Sequence, residues 1–100
     1  METLTREQLK KLKAAAHSLK PVVQIGQKGL TGPVIAAIAK ALEDHELIKI
    51  KFMEYKEEKR TLADEVTRET ESHLIDIIGN IAILYKRNEL SENDNDIGEN

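Results

Sequence analysis

Four consecutive residues, Gly26-Gln27-Lys28-Gly29, have the types and spacing best suited to chemistry. The run Val22-Val23-Gln24-Ile25 leads into them, and a helix-starting signal, Thr31-Gly32-Pro33, follows almost at once. Two glycines framing a lysine put bare backbone and one positive charge at a strand-to-helix corner. Backbone N–H groups and the positive end of the following helix favour an anion there. The chemistry on offer is the holding of a sugar-phosphate backbone. A plainer reading stands beside it, in which both glycines merely permit a tight turn with positive φ.

The same logic operates in KH domains, whose GXXG loop clamps about four nucleotides. Neither nucleotide fingerprint applies: there is no GxGxxG, and Gly26…Gly29…Gly32 lacks the GK[ST] ending of a P-loop. What lifts the GxxG above chance is its company. Lys10, Lys11 and Lys13 share a face of the first predicted helix, Lys20 precedes the first strand, and Lys49 and Lys51 alternate along the second. Helix lysines are by default a solvated face, and strand lysines can guard a sheet edge against aggregation. If the strands flanking the second helix are neighbours, Lys28, Lys49 and Lys51 converge.

Nothing comparable supports catalysis. The chain has no cysteine, which removes thiol nucleophiles, thiolate metal sites and disulfides. His17, His45 and His73 lie near predicted helix ends or turns, without paired carboxylates at metal-ligand spacing, and His45-Glu46 lacks the second histidine of a metalloprotease helix. No serine has a plausible base and orienting acid. No catalytic residue, metal or cofactor is assigned. Phe52, Tyr55 and Tyr85 are too few for a broad base-stacking platform, so phosphates and RNA shape should dominate recognition.

The net charge of −3 conceals a division. Five acids and no base fall in residues 88–100, leaving 15 basic against 13 acidic residues in 1–87. Residues 1–40 hold seven bases against Glu2 and Glu7, so the basic half contains the glycine loop. One hundred residues suffice for one domain. The polar N-terminus and the lack of a long apolar run lead to the expectation of a soluble, cytoplasmic protein.

The elements that must position the loop follow from periodicity. Thr5-Arg6-Glu7-Gln8 can form a capping box ahead of Leu9, Leu12, Ala16 and Leu19 at helical spacing, with Pro21 as the stop. Residues 22–25 read as a short strand. Thr31 or Gly32 caps a second helix with Pro33 in its first turn and Ile35, Ile38 and Leu42 inward. Residues 47–53 alternate, with Ile48, Ile50 and Phe52 inward and a basic wet face. Residues 56–70 predict a third helix with Leu62, Ala63 and Val66 inward. Residues 74–78 and 81–86 predict a hairpin about Gly79-Asn80. The fold class is therefore α/β (α+β): a small mixed four-stranded sheet with three helices, in the order α-β-α-β-α-β-β. Right-handed crossovers imply parallel neighbours, and the hairpin adds an antiparallel pair. Residues 1–87 form the domain, and 88–100 are expected to be a disordered acidic tail.

The string Leu19-Lys20-Pro21-Val22-Val23-Gln24-Ile25-Gly26 resembles the CRM domain, whose bacterial stand-alone form is the YhbY-like protein. So do Gly29-Leu30-Thr31, Val34-Ile35, Ala41-Leu42 and His45-Glu46-Leu47-Ile48-Lys49-Ile50-Lys51, and Ile78-Gly79-Asn80-Ile81-Ala82-Ile83-Leu84-Tyr85-Lys86 resembles its last hairpin. The likeness implies a fold similar to the C-terminal domain of the third bacterial translation initiation factor, with an extra N-terminal helix. It also implies RNA binding through Gly26, Gln27, Lys28 and Gly29 and nearby basic residues. For stand-alone members it implies association with precursors of the large ribosomal subunit. Asp76 departs from the pattern, which leads one to expect an uncharged polar residue such as glutamine there. The rival reading is a protein–protein adaptor on assembling ribosomal particles, with incidental RNA contact.

Overall fold

The computed structural model describes residues 3–88. Thr5 and Gln8 form the capping box: the Thr5 hydroxyl accepts from the Gln8 amide at 3.0 Å, and Gln8 Oε1 accepts from the Thr5 amide at 2.7 Å. They start α1 (Arg6–Ala16). This helix ends before Pro21, which instead opens β1 (Pro21–Ile25), so Leu19 lies outside the helix and is exposed. Thr31 caps α2 (Gly32–His45), its hydroxyl accepting from the Val34 amide at 3.3 Å. Then come β2 (Leu47–Phe52), a 3-10 turn (Lys56–Glu58), α3 (Lys59–Thr70), β3 (His73–Ile78) and β4 (Ile81–Tyr85). The predicted element order holds, with the start of the third helix tightened into the 3-10 turn.

The sheet order is β1-β2-β4-β3. β1 and β2 are parallel, as the crossover through α2 requires, while β4 runs antiparallel to both β2 and β3. The second crossover therefore does not make β2 and β3 neighbours. β4 folds back into the gap between them, and its apolar run buries Ala82, Ile83 and Leu84. An interior strand covered on both faces needs such a sequence.

Helices cover both faces. α2 and α3 close one core around Ile25, Ile38, Leu42, Ile48, Ile50, Phe52, Ala63, Val66, Ala82 and Leu84. On the other face α1 lays Leu9, Leu12 and Ala16 over Leu47, Ile75, Ile83 and Tyr85. Lys49 and Lys51 alternate with buried Ile48 and Ile50, so they share the α1 face, and that face is only partly open to water. β2 is also an interior strand, so the two lysines do not guard an edge.

Asn88 is tied to the end of α2: its amide donates to Glu46 Oε2 at 3.0 Å and its side chain to the Glu43 carbonyl at 3.3 Å. The expectation for the acidic tail concerns residues that, beyond Asn88, lie outside those described.

Candidate nucleic-acid interface

β1 delivers the loop from a fixed point. The Ile25 carbonyl accepts from the Met53 and Glu54 amides at 2.9 and 3.3 Å, tying the end of β1 to the chain leaving β2. The next four residues close a turn in which the Gly29 amide donates to the Gly26 carbonyl at 3.0 Å. The Thr31 amide then donates to the Gly29 carbonyl at 3.1 Å, so the turn passes directly into the cap of α2. The first turn of α2 carries no acidic residue, leaving its positive end uncompensated.

The two glycines differ. Gly29 has φ +70, a left-handed conformation that any side chain would strain. Gly26 is not left-handed, and a Cβ there would meet nothing within 4 Å. The turn-geometry reading accounts for Gly29 alone. At Gly26 the missing side chain leaves open space over bare backbone.

Tyr55 braces this loop, and sequence reasoning missed that role. Its hydroxyl donates to the Gln27 carbonyl at 2.5 Å, and its ring carbon Cε2 would lie 3.6 Å from a Cβ at Gly29. Tyr55 is itself left-handed, at φ 58 and ψ 39. Because a trans peptide points its C=O and N–H in opposite directions, turning the Gln27 carbonyl toward Tyr55 aims the Lys28 N–H away from it. Among the described residues, nothing accepts from that N–H. The available signal was a lone aromatic in a polar turn, which no spacing rule singles out.

The predicted lysines separate into groups. Lys28 sits in the turn. Lys51 pairs with Gln24 across β1 and β2, two residues before Gly26, so these two share the loop end of the sheet. Lys49 pairs with Pro21, farther from the loop, and its ammonium donates to the carbonyls of Leu19 and His17 at 2.9 and 3.4 Å. It closes the C-terminal end of α1 and does not join Lys28 and Lys51. Lys13 lies 3.8 Å from Asp76, so the unexpected strand aspartate faces a helix lysine. Lys10 and Lys11 are exposed on α1, and Lys20 is exposed just before β1. No carboxylate among the described residues pairs with Lys10, Lys11, Lys20, Lys28 or Lys51. Lys40 is committed elsewhere: a hydrogen bond to Asp44, reinforced by the charges of Asp44 and Glu43, holds its pKa above the ordinary lysine value.

The histidines take structural places. His17 caps α1, His45 ends α2, and His73 opens β3 with its ring stacked on Tyr85 at 6.2 Å between centroids. Among the described residues no group of three His, Cys, Asp or Glu side chains could hold a metal ion, and no helix is long and apolar enough to cross a membrane.

A mixed sheet that hands a braced glycine loop straight into a helix defines an α+β domain. Comparison with known proteins agrees with that architecture. Residues 4–86 match the CRS1 / YhbY (CRM) domain. A Pseudomonas aeruginosa protein named as a probable RNA-binding protein is 42% identical over 86 residues, covering 85% of this chain and 83% of its own. An RNA-binding protein of Haemophilus influenzae is 42% identical over 90 residues, covering 89% and 91%. A Staphylococcus aureus protein solved in solution, a candidate RNA-binding protein, has a TM-score of 0.76 at 32% identity, covering 87% of this chain and 92% of that one. The chain belongs to the CRS1/YhbY (CRM) domain family.

Proposed function

We propose that this chain is a non-catalytic, cytoplasmic RNA-binding protein whose 26–29 loop holds the RNA backbone. The observation that carries this reading is the orientation of the loop. The Gln27 carbonyl is turned onto Tyr55, the Lys28 amide points away from that ring with no acceptor among the described residues, and Gly26 keeps the approach clear. Phosphate oxygens are the acceptors that fit a free amide beside a lysine side chain just before a helix. The relatives named as RNA-binding proteins support the same ligand.

In this reading Lys28 neutralises one phosphate and Lys51 extends the basic surface along the sheet. Lys10, Lys11 and Lys20 contribute longer-range attraction. Lys13 and Lys49 have lesser parts because Asp76 and the carbonyls of His17 and Leu19 already engage them. The target is ribosomal RNA of the large-subunit precursor, a proposal that rests on the family likeness.

The test is titration of labelled large-subunit ribosomal RNA fragments with wild type and with Gln27→Asp/Lys28→Asp, at several salt concentrations. The glycine turn is kept while two negative charges face the phosphates, and circular dichroism confirms the fold. Loss of binding by a folded variant supports the loop. Undiminished binding moves the site elsewhere, and weak wild-type binding with it favours the adaptor reading.

A further inference from the structure

Beside the loop lies an open groove of about 690 Å³ lined by Gln27 and residues 53–58. Two of its lining side chains are large, apolar and exposed: Met53 and Tyr55, each 43% accessible. With its hydroxyl held by the Gln27 carbonyl, the Tyr55 ring is a fixed surface. The groove does not move independently of the loop, because the Met53 and Glu54 amides are bonded to the Ile25 carbonyl where β1 ends.

The charge of the groove is opposite to that of the loop. Residues 53–58 include Glu54, Glu57 and Glu58 against Lys56 alone. A phosphate entering the groove meets net negative charge, whereas a nucleobase carries none. The two neighbouring environments therefore sort a nucleotide into its parts: backbone to the side chain and amide of Lys28, base into the groove.

We propose that this groove is a subsite for one unpaired nucleobase of the RNA whose phosphates lie on the 26–29 loop; it rests on the loop reading above. The base stacks on Tyr55 and Met53, the surface type on which splayed RNA bases are held. Carboxylates only accept hydrogen bonds, so they favour base edges bearing amino donors. Guanine, adenine and cytosine carry such groups, while uracil has no amino group and its one edge donor, N3–H, is flanked by two carbonyl oxygens that the carboxylates repel. The subsite thus discriminates against uracil at one position of an otherwise sequence-tolerant complex.

The test uses short single-stranded RNAs in which each position in turn is made abasic or replaced by uracil. They are titrated against wild type, Tyr55→Phe, Tyr55→Asn and Gln27→Asp/Lys28→Asp. Asparagine tolerates the left-handed backbone at position 55 but supplies no ring; Met53→Ser is a second variant should Tyr55→Asn not fold. At one position the abasic change should weaken wild-type binding about tenfold, in line with the worth of one stacked base. Uracil there should bind more weakly than guanine. The abasic penalty should persist in Tyr55→Phe, shrink in Met53→Ser and vanish in Tyr55→Asn. The subsite is overturned if no position shows a penalty, or if the penalty is undiminished in the folded ring-free variant. The loop reading is judged separately by loss of all binding in the double loop variant, whichever way the abasic scan falls.

Discussion

Lys49 holds the backbone of Leu19, its ammonium 2.9 Å from the carbonyl oxygen of a residue thirty positions earlier. The same ammonium lies 3.4 Å from the His17 carbonyl. The last carbonyls of a helix have no partner within it and carry its partial negative charge. One strand lysine therefore reaches the cap carbonyl of α1 at His17 and the backbone just beyond it at Leu19, and fastens that end of the helix across the sheet.

Removing that contact should act on stability first. Lys49→Met is expected to lower unfolding free energy by about 1 kcal/mol, the worth of an exposed charge-assisted hydrogen bond near a helix end. Lys51→Met, two residues along the same face, should change stability by less than about 0.5 kcal/mol but weaken RNA binding. Urea denaturation and RNA titration on both variants check the separation. Equal effects of the two substitutions on RNA affinity would return Lys49 to the binding surface.

Lys13 and Asp76 form a half-exposed pair at 3.8 Å, a geometry worth about 0–1 kcal/mol. Its consequence for binding should exceed its consequence for stability. Asp76→Asn leaves Lys13 uncompensated on the face of α1 that also carries Lys10, and should tighten RNA binding at low salt while making the salt dependence steeper. Affinities measured across a salt series decide it: an unchanged slope would place Lys13 off the path of the RNA.

Much of this molecule was legible from local pattern. The Thr5/Gln8 capping box, the alternation of Ile48, Ile50 and Phe52, and the Gly79-Asn80 turn depend on neighbouring residues and occur as read. The relationships that were not legible join distant segments. Periodicity shows that α1 is amphipathic but not which face of the sheet it covers, so Lys49 read as solvated. Crossover rules give parallel β2 and β3 but not whether β4 lies between them. The place of Lys28 followed from its own loop. The brace supplied by Tyr55 did not, because it depends on a left-handed residue beyond β2 reaching back to Gln27.

Lys28→Ala should weaken binding to all RNA sequences alike and flatten the dependence of log affinity on log salt by about 0.7, the contribution of one phosphate contact on a single strand. Stability should be unaffected, since no hydrogen bond or ion pair among the described residues uses its ammonium. A drop in affinity with the slope preserved would mean that Lys28 shapes the loop instead of neutralising a phosphate.

The two glycines of the loop should separate fold from function. Gly29→Ala forces a side chain into a left-handed conformation at φ +70, beside the Tyr55 ring, and should cost about 1–2 kcal/mol of stability. Gly26→Ala meets no such strain and no neighbouring atom, so the folded state accepts the methyl group. The unfolded chain loses conformational freedom, and stability should stay unchanged or rise by about 0.5 kcal/mol. The same methyl group stands where a sugar-phosphate chain must approach the backbone, so RNA affinity should fall severalfold in a protein that is at least as stable as wild type. Thermal melts and RNA titrations on the two variants provide the comparison. Undiminished binding by Gly26→Ala would show that the RNA does not come close to this backbone, and would leave Gly26 with neither a conformational nor a binding reason to be glycine.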